Sequence, residues 1–333
     1  MRLPFSIQKK TYSTKLENIY NKSEIYLYSY ARYAFHEALK TLNIKSIYMP
    51  AFICEEVLSI INILNIRYYF YDINELLEPD LKDIKCDAVL AVNYFGFAQN
   101  MQPFFEYKRK FDSIIIEDNA HGLFSRDAEG VLLGTRGDIG LLSLRKTIFL
   151  PNGACLLINN DKYKHIGFKK AEIKATHEDS HYYKKLIFKR LTIKYIGILY
   201  FIIRRSSCLI KISQLIRNVN DGSKKCNLPN KYLTPILSNN LIYINIKLEI
   251  KDRRDMFLMI EKWAKKFGIK PIKKLDDYTV PYVFPFIDNS KCNKFEKFLL
   301  KKGFYITSWP KLFDEGKNYK FFYYNVKVVN FLW

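Results

Sequence analysis

Short apolar segments alternate with helix-length intervals along the first half of the chain, and this alternation constrains the fold more than any other feature. The strand-like segments read SIYMPAF, RYYFYDI, AVLAVNYFG, IIIEDNA and GLLSLRKT. Strands separated by helical connections pair in parallel through right-handed crossovers. The pattern therefore predicts the α/β class, with a large domain built on a mostly parallel central sheet that is flanked by helices.

One of these strand-like segments ends in two acidic residues. The apolar run Ile114–Ile116 stops at Glu117 and Asp118, and His121 follows shortly afterwards. A short apolar run of this kind indicates a strand that is buried on both faces. Open α/β sheets bind ligands beyond the carboxyl ends of their strands. We therefore expect Asp118 and His121 to lie at a ligand site.

A lysine and a hydroxyl follow at the end of the next predicted strand, where Ser143 and Lys146 close the segment GLLSLRKT. An acid, a lysine and a hydroxyl together suit pyridoxal 5′-phosphate (PLP). Lys146 can hold PLP as an imine, and a carboxylate such as Asp118 can keep its ring nitrogen protonated. Ser143 can donate to the phosphate, and His121 can stack on the ring or bond its phenolic oxygen. The simpler interpretation remains open, since such an aspartate is often a helix cap and such a lysine is usually solvated.

The start of the first helical pattern is a second candidate phosphate site. Ser29 is the predicted N-cap, and Tyr30, Ala31 and Arg32 lead into the helix. The free amides at a helix start bind phosphate. We therefore predict that these residues contact the cofactor opposite Ser143.

The apolar run Ala88–Gly96 also ends at a predicted strand mouth, where Asn93 and Tyr94 are candidate substrate contacts. Metal binding has no such support. The five histidines form no HExxH motif or paired-carboxylate set, so no metal site is predicted.

These motifs resemble the DegT/DnrJ/StrS group of PLP-dependent aminotransferases, which have the aspartate-aminotransferase fold (fold type I). IEDNAHGL is similar to the EDxAH/Q segment of that group, and GTRGDIGLLSLRKTIFLPNGACLLIN is similar to its G-D-x-x-x-S-F…K…G-G segment. Weaker similarity covers about residues 25–312, including YSYARYAFHEALKTL against the helix start SGTxAL. The resemblance implies Asp118 on the pyridine nitrogen, His121 beside the ring, Ser143 on the phosphate and Lys146 as the covalent anchor.

The same resemblance implies an enzyme that transfers an amino group, typically from glutamate, to a nucleotide-linked keto-sugar for surface polysaccharides or related glycans. It also implies a homodimer. Asn227 and Asn230 are candidate contacts across the dimer, because the group places an asparagine in a comparable loop, and Asn230 is also a candidate substrate contact. Two alternatives stay open: a fold-type-I scaffold that no longer transaminates, and a PLP-dependent lyase or dehydratase. Dehydratases of this group typically lack the lysine, so Lys146 argues against the latter.

Three features depart from the group's pattern. The interval from Ser143 to Lys146 is about two residues shorter, and the usual GEGG is reduced to Pro151–Ala154. The T-W/F pair that flanks PLP is replaced by Ile53 and Cys54. The chain is therefore expected to be a divergent member, in which His121 takes the stacking role.

The chain is expected to form two domains. Residues 1–238 would be the large PLP-binding domain, with an N-terminal arm and a helical insertion at about 161–219. Residues 239–333 would hold a connector helix and a small α/β domain made from TVPYVFPFI, KCNKFEKFLLKKG and FYITSWP. Pro281 and Pro285 predict that its first strand lies at an edge or is broken.

The formal net charge is +21, but the lysines are spread along the chain and no nucleic-acid motif accompanies them. The basic segment Lys184–Arg217 has a longest uncharged run of nine residues, Tyr195–Ile203, against the roughly 20 that a membrane span needs. We interpret the segment as a helix packed at a dimer or domain contact, with a lipid-surface helix as the alternative. Without a secretory signal or CxxC spacing, the chain is expected to be cytoplasmic.

Overall fold

The computed structural model describes residues 16–148, 150, 152–174, 232–233, 246–302, 304–310 and 320–331. The basic segment Lys184–Arg217, Asn227, Asn230 and the boundary at residue 238 lie outside the described residues. The expectations for them, and the division into two domains, stay predictions.

Eight strands form the central sheet, in the order β1-β8-β7-β6-β5-β2-β3-β4. They are β1 Glu24–Tyr28, β2 Ser46–Pro50, β3 Arg67–Ile73, β4 Pro79–Asp80, β5 Ala88–Val92, β6 Ile114–Asn119, β7 Ile139–Ser143 and β8 Ala154–Ile158. Strands β3, β2, β5, β6 and β7 run parallel, whereas β1, β4 and β8 pair antiparallel with their neighbours. Every residue of β5, β7 and β8 is buried, which explains their continuous apolar sequences.

Seven helices lie among the described residues: α1 Leu16–Ile19, α2 Ala31–Thr41, α3 Glu55–Ile63, α4 Gln102–Phe111, α5 Ile246–Lys265, α6 Cys292–Lys301 and α7 Phe321–Asn325. Single 3₁₀ turns cover Tyr94–Gly96, Leu144–Lys146 and Asp161–Tyr163. Helix α4 shows why such segments are helical. Pro103 lies in its first turn, three basic residues in its last turn interact favourably with the helix dipole, and Asp112 ends it in a left-handed conformation with φ 54°.

The C-terminal part contains a small antiparallel sheet, in the order β11-β13-β12. Its strands are β11 Val283–Ile287, β12 Ile306–Ser308 and β13 Val326–Asn330, while β9 Glu172–Ile173 and β10 Tyr232–Leu233 form a separate parallel pair. Strand β11 lies at the edge, as Pro281 and Pro285 predict, because proline cannot complete a ladder on both sides. The central strand β13 has no counterpart in the sequence-based prediction.

Two local predictions differ from the structure. Tyr30 is the N-cap of α2 and makes no side-chain capping bond, whereas Ser29 lies one residue earlier and its carbonyl accepts the Gly153 N–H at 2.7 Å. That bond ties the start of α2 to the start of β8. In the predicted helical insertion, the described residues 161–174 form a 3₁₀ turn, irregular chain and β9 instead of a helix. No helix among the described residues is both long and apolar enough to span a membrane.

Candidate active site

A cavity of about 250 Å³ lies where the carboxyl ends of β6 and β7 meet the start of α2. The sequence predicted seven cofactor-binding residues, and six of them line this cavity: Tyr30, Ala31, Arg32, Asp118, Ser143 and Lys146. The remaining one, His121, is not among the lining residues. The sheet topology explains the convergence, because parallel strands bring their carboxyl ends to one edge.

Asp118 supplies the carboxylate of the cavity. Its Oδ1 accepts the Ala120 N–H at 2.9 Å, which leaves the other oxygen for a ligand. Burial raises the pKa of Asp118 above its ordinary value, while the charge of Lys146 and the Ala120 N–H oppose the rise. An enclosed carboxylate of this kind is stabilised by a cationic hydrogen-bond partner.

Ser143 and Lys146 are placed by the 3₁₀ turn Leu144–Lys146 that follows β7. Ser143 is the last residue of β7 and has an extended backbone, with φ −117° and ψ 100°, whereas Lys146 is the last residue of the turn. Both side chains line the same cavity although the interval between them is short. The buried Leu144 holds the turn, because its N–H donates to the Gly153 carbonyl at 3.0 Å.

His121 is packed among aromatic rings of the protein. Its ring is nearly parallel to that of Tyr282, with centroids 4.7 Å apart, and to that of Phe95, at 6.0 Å. Its Nδ1 accepts the Phe95 N–H at 3.3 Å, so a neutral ring carries its proton on Nε2. Burial and then the charge of Lys146 lower the pKa of His121 well below its usual range. These contacts do not support the stacking of His121 on a cofactor ring.

Asn93 and Tyr94 are buried and do not line the cavity, in contrast to the predicted substrate contacts. The Asn93 amide donates to Glu117 at 2.8 Å and accepts from Arg136 at 2.7 Å. The Tyr94 hydroxyl donates to the Phe52 carbonyl at 2.8 Å. Their polar groups thus stabilise the loop after β5, and neither enters the function proposed below.

A buried ion pair supports the end of β6. Arg136 donates to Glu117 Oε1 through Nη2 at 2.6 Å and through Nε at 2.8 Å, and the Arg136 N–H donates to Oε2 at 2.8 Å. Glu117 is fully buried and directly precedes Asp118. Since successive strand residues point to opposite faces, Glu117 anchors the strand while Asp118 faces the cavity.

Arg145 and Trp309 are two of the lining residues that sequence reasoning missed. The guanidinium carbons of Arg145 and Arg32 lie 5.0 Å and 4.7 Å from the ring centroid of Tyr30, so two cations flank one ring. Trp309 follows β12 and brings an aromatic side chain from the C-terminal part into the cavity wall. Cys54, at the position of the missing aromatic, also lines the cavity, and burial raises its pKa to about 12. Two signals in the sequence could have identified them: Arg145 is a basic residue next to Lys146, and Trp309 is the aromatic residue in TSWP.

The lining residues fit PLP by their chemistry. Lys146 would provide an amine for the aldehyde, and Asp118 would provide a carboxylate for the ring nitrogen. Ser143, Arg145 and the start of α2 would provide a hydroxyl, a guanidinium and backbone amides for the phosphate. No group of three or more potential metal ligands occurs within the described part of the chain.

A central mostly parallel sheet with a small antiparallel sheet after the long helix α5 defines the fold type I architecture, and solved structures confirm it. A DegT DnrJ EryC1 StrS aminotransferase from Brucella abortus has a TM-score of 0.62 and 12% identity, covering 95% of this chain and 83% of that chain. Helicobacter pylori PseC, an aminotransferase of pseudoaminic acid biosynthesis, has a TM-score of 0.59 and 12% identity, covering 95% and 83%. GDP-4-keto-6-deoxy-D-mannose-3-dehydratase from E. coli, solved with hydrated PLP, has a TM-score of 0.56 and 15% identity, covering 94% and 85%.

At these identities the comparison establishes the fold, and so confirms the fold that the sequence resemblance implies. No protein-family model matches the sequence, and no curated protein matches it significantly.

Proposed function

We propose that this chain is a PLP-dependent aminotransferase that moves an amino group from glutamate to a nucleotide-linked keto-sugar, for surface polysaccharides or related glycans. The observation that carries the proposal is the convergence of Lys146, Ser143 and Asp118 on one cavity. Solved structures of the same fold include aminotransferases and sugar-modifying enzymes. We further propose that the enzyme is a cytoplasmic homodimer.

Each lining residue has a distinct task. PLP, when bound, supplies an electron sink next to the substrate amine. Lys146 would bind the cofactor covalently through Nζ and would move a proton with the same atom. Asp118 holds the proton on the ring nitrogen, because its enclosed carboxylate favours a cationic partner. Ser143 and Arg145 bind and orient the phosphate.

Two other lining residues support a hydroxylated ring as the acceptor. Glu56 brings a carboxylate from the first turn of α3, and Trp309 brings a half-buried indole from the C-terminal part of the chain. Carboxylates accept hydrogen bonds from hydroxyl groups, and aromatic faces pack on apolar ring faces. This pair suits a sugar.

A dehydratase is a second candidate, because one of the solved structures of this fold is a sugar dehydratase. The sequence resemblance implies that such dehydratases typically lack the lysine, so Lys146 favours transamination. A scaffold without transaminase activity is the third candidate, and the experiment below separates all three.

The test begins with PLP added to the purified protein, followed by borohydride reduction and peptide mapping. We expect one labelled residue, Lys146, and no label in Lys146→Ala, while Lys162→Ala, at an exposed lysine outside the cavity, is labelled as the wild type. Glutamate should then give stoichiometric 2-oxoglutarate in a single turnover. Label on another lysine, or none, would overturn the proposal. Label on Lys146 without 2-oxoglutarate would favour the dehydratase or the scaffold, which turnover of a 4-keto-6-deoxy sugar nucleotide distinguishes.

A further inference from the structure

A buried arginine outside the cavity binds the backbone of the lysine turn. Arg253 in α5 is only 1% exposed. Its Nη2 donates to the carbonyls of Lys146 at 3.2 Å and Thr147 at 2.8 Å. Its Nη1 donates to the Pro281 carbonyl at 3.2 Å, and its Nε donates to Glu249 at 2.8 Å. One side chain thus connects α5, the lysine turn and the segment before β11.

The two carbonyls of the lysine turn depend on an outside donor. Lys146 ends the 3₁₀ turn and Thr147 is its C-cap, and the last carbonyls of a helical segment have no partner within it. Arg253 supplies that donor to both. The guanidinium therefore fixes the backbone from which the Lys146 side chain extends.

The third carbonyl that Arg253 binds, that of Pro281, belongs to a segment that contacts the Lys146 side chain. Pro281 precedes Tyr282, whose ring centroid lies 5.8 Å from Lys146 Nζ and 4.7 Å from the ring of His121. The Tyr282 N–H donates to the Phe95 carbonyl at 2.8 Å. Arg253 thus binds the chain on both sides of the contact between Lys146 and Tyr282.

Close packing restricts the Pro281 segment. Gly96 has φ +98°, and a Cβ there would lie 2.5 Å from the Val280 carbonyl and 3.3 Å from the Pro281 Cα. The segment therefore approaches the loop after β5 more closely than a side chain would permit. Because Pro281 has little room to move, the bond from Arg253 to its carbonyl holds the guanidinium in one position.

We propose that Arg253 is a positioning residue for Lys146: its planar guanidinium sets the position of the lysine amine against Tyr282, and so couples the docking of α5 to cofactor binding. Only the part of this proposal that concerns cofactor binding rests on the proposed function. An arginine suits this task because its five donors form a rigid fork, whereas a lysine ammonium is a single point that cannot reach acceptors on two segments.

Stability alone does not account for this arginine. Burial lowers the pKa of Arg253 to about 10, and the carboxylate of Glu249 opposes that shift. A buried ion pair is often no more stable than apolar side chains of the same volume. The four directed bonds to backbone and carboxylate give the side chain a role that an apolar residue cannot supply.

The test compares Arg253→Lys and Arg253→Met with a matched control, Arg254→Met. Arg254 is the next residue of α5, and it donates to the carbonyls of Asp276 at 2.6 Å and Thr279 at 2.8 Å, away from the lysine turn. Melting temperatures are measured for all variants, so that loss of stability is known separately from loss of position.

The first measurement needs no cofactor. The lysines are methylated reductively with ¹³C-formaldehyde, and the Lys146 signal is assigned by its loss in Lys146→Arg. Proximity to the Tyr282 ring should shift the signal from that of exposed lysines. We expect the shift to vanish in Arg253→Lys and to persist in Arg254→Met. An unchanged Lys146 signal in folded Arg253→Lys overturns the proposal. So does loss of the shift in both Arg253→Lys and Arg254→Met, to an extent that follows the drop in their melting temperatures.

The second measurement is the rate of borohydride-trapped PLP attachment to Lys146. We expect Arg253→Lys to slow it by about 10- to 100-fold, the effect of a displacement of about 1 Å, while Arg254→Met attaches PLP at the wild-type rate. Attachment at the wild-type rate in Arg253→Lys overturns the positioning role. If the wild type takes up no PLP, the proposed function fails, and the ¹³C measurement decides the positioning role independently.

Discussion

Replacing Asp118 with asparagine should stabilise the cofactor-free protein and impair the enzyme. The amide has the size of the carboxyl group, and its Oδ1 can still accept the Ala120 N–H that Asp118 accepts at 2.9 Å. The local turn is therefore preserved and only the charge is lost. The two consequences have opposite signs, which makes the variant a sharp test of whether Asp118 is a cofactor ligand.

The stability effect follows from linkage. Burial raises the pKa of Asp118 in the folded state, so the folded protein binds the proton more tightly than the unfolded chain does. The contribution of Asp118 to stability is then greatest below its unfolded pKa of about 3.9. It is lost as the pH rises through that value towards the raised folded pKa. Cofactor-free Asp118→Asn should therefore exceed the wild type in stability at pH 7, and the difference should shrink towards pH 4.

The effect on rate can be bounded. A hydrogen bond to a charged group contributes about 1.5–3 kcal/mol, and each 1.36 kcal/mol is about tenfold in rate. Loss of the charged partner of the ring nitrogen should slow the single-turnover reaction with glutamate by about 10- to 150-fold. PLP should stay bound, since Lys146 and the phosphate contacts are unchanged.

The assay combines thermal melting of cofactor-free protein between pH 4 and pH 8 with rapid-quench measurement of 2-oxoglutarate. Asp83→Asn is the control, because Asp83 is exposed in a surface pair with Lys110 and should change neither quantity. If Asp118 were only a structural cap, the asparagine would keep the bond to the Ala120 N–H and the variant would keep its rate. That result would refute the reasoning.

Two further substitutions test other parts of the site. Arg145→Gln removes one of the two guanidiniums beside Tyr30 and should weaken PLP binding by about tenfold or more; fluorescence titration should show a smaller loss for pyridoxal, and an equal loss would remove Arg145 from the phosphate site. Glu117→Gln removes the closer carboxylate partner of the buried Arg136, which keeps Asp127 at 3.6 Å, and should cost about 1.5–3 kcal/mol in urea denaturation. Asp80→Asn, in an exposed pair, should cost at most about 1 kcal/mol, and an equal cost for both would contradict the burial argument.

The parallel strands could be predicted because their signal is local. Each is a short apolar run bounded by polar residues, and the observed β3, Arg67–Ile73, coincides with the predicted segment RYYFYDI. Strand β13 could not be found in this way. Val326–Asn330 becomes the central strand only by pairing with β11 and β12, and that pairing depends on tertiary contacts that a local sequence pattern does not contain.

The residues of the candidate site also fall into those that a local pattern predicts and those that depend on tertiary contacts. Asp118, Ser143 and Lys146 follow from their positions at strand ends, because the topology brings such positions together. Asn93 has the same kind of position, yet its amide is taken up by Glu117 and Arg136, whose arrangement no local pattern reveals. Arg145 and Trp309 reach the cavity through the 3₁₀ turn and through the C-terminal part of the fold, respectively.

The shortened interval between Ser143 and Lys146 was the main sequence argument for a scaffold without activity. The structure removes the force of this argument, because Ser143 and Lys146 line the same cavity despite the short interval between them. The absence of an aromatic at Cys54 is a weaker argument, since Tyr30, Phe35 and Trp309 bring other aromatic rings to the same cavity. Both departures are thus met by other parts of the same cavity, which favours an active enzyme over a scaffold.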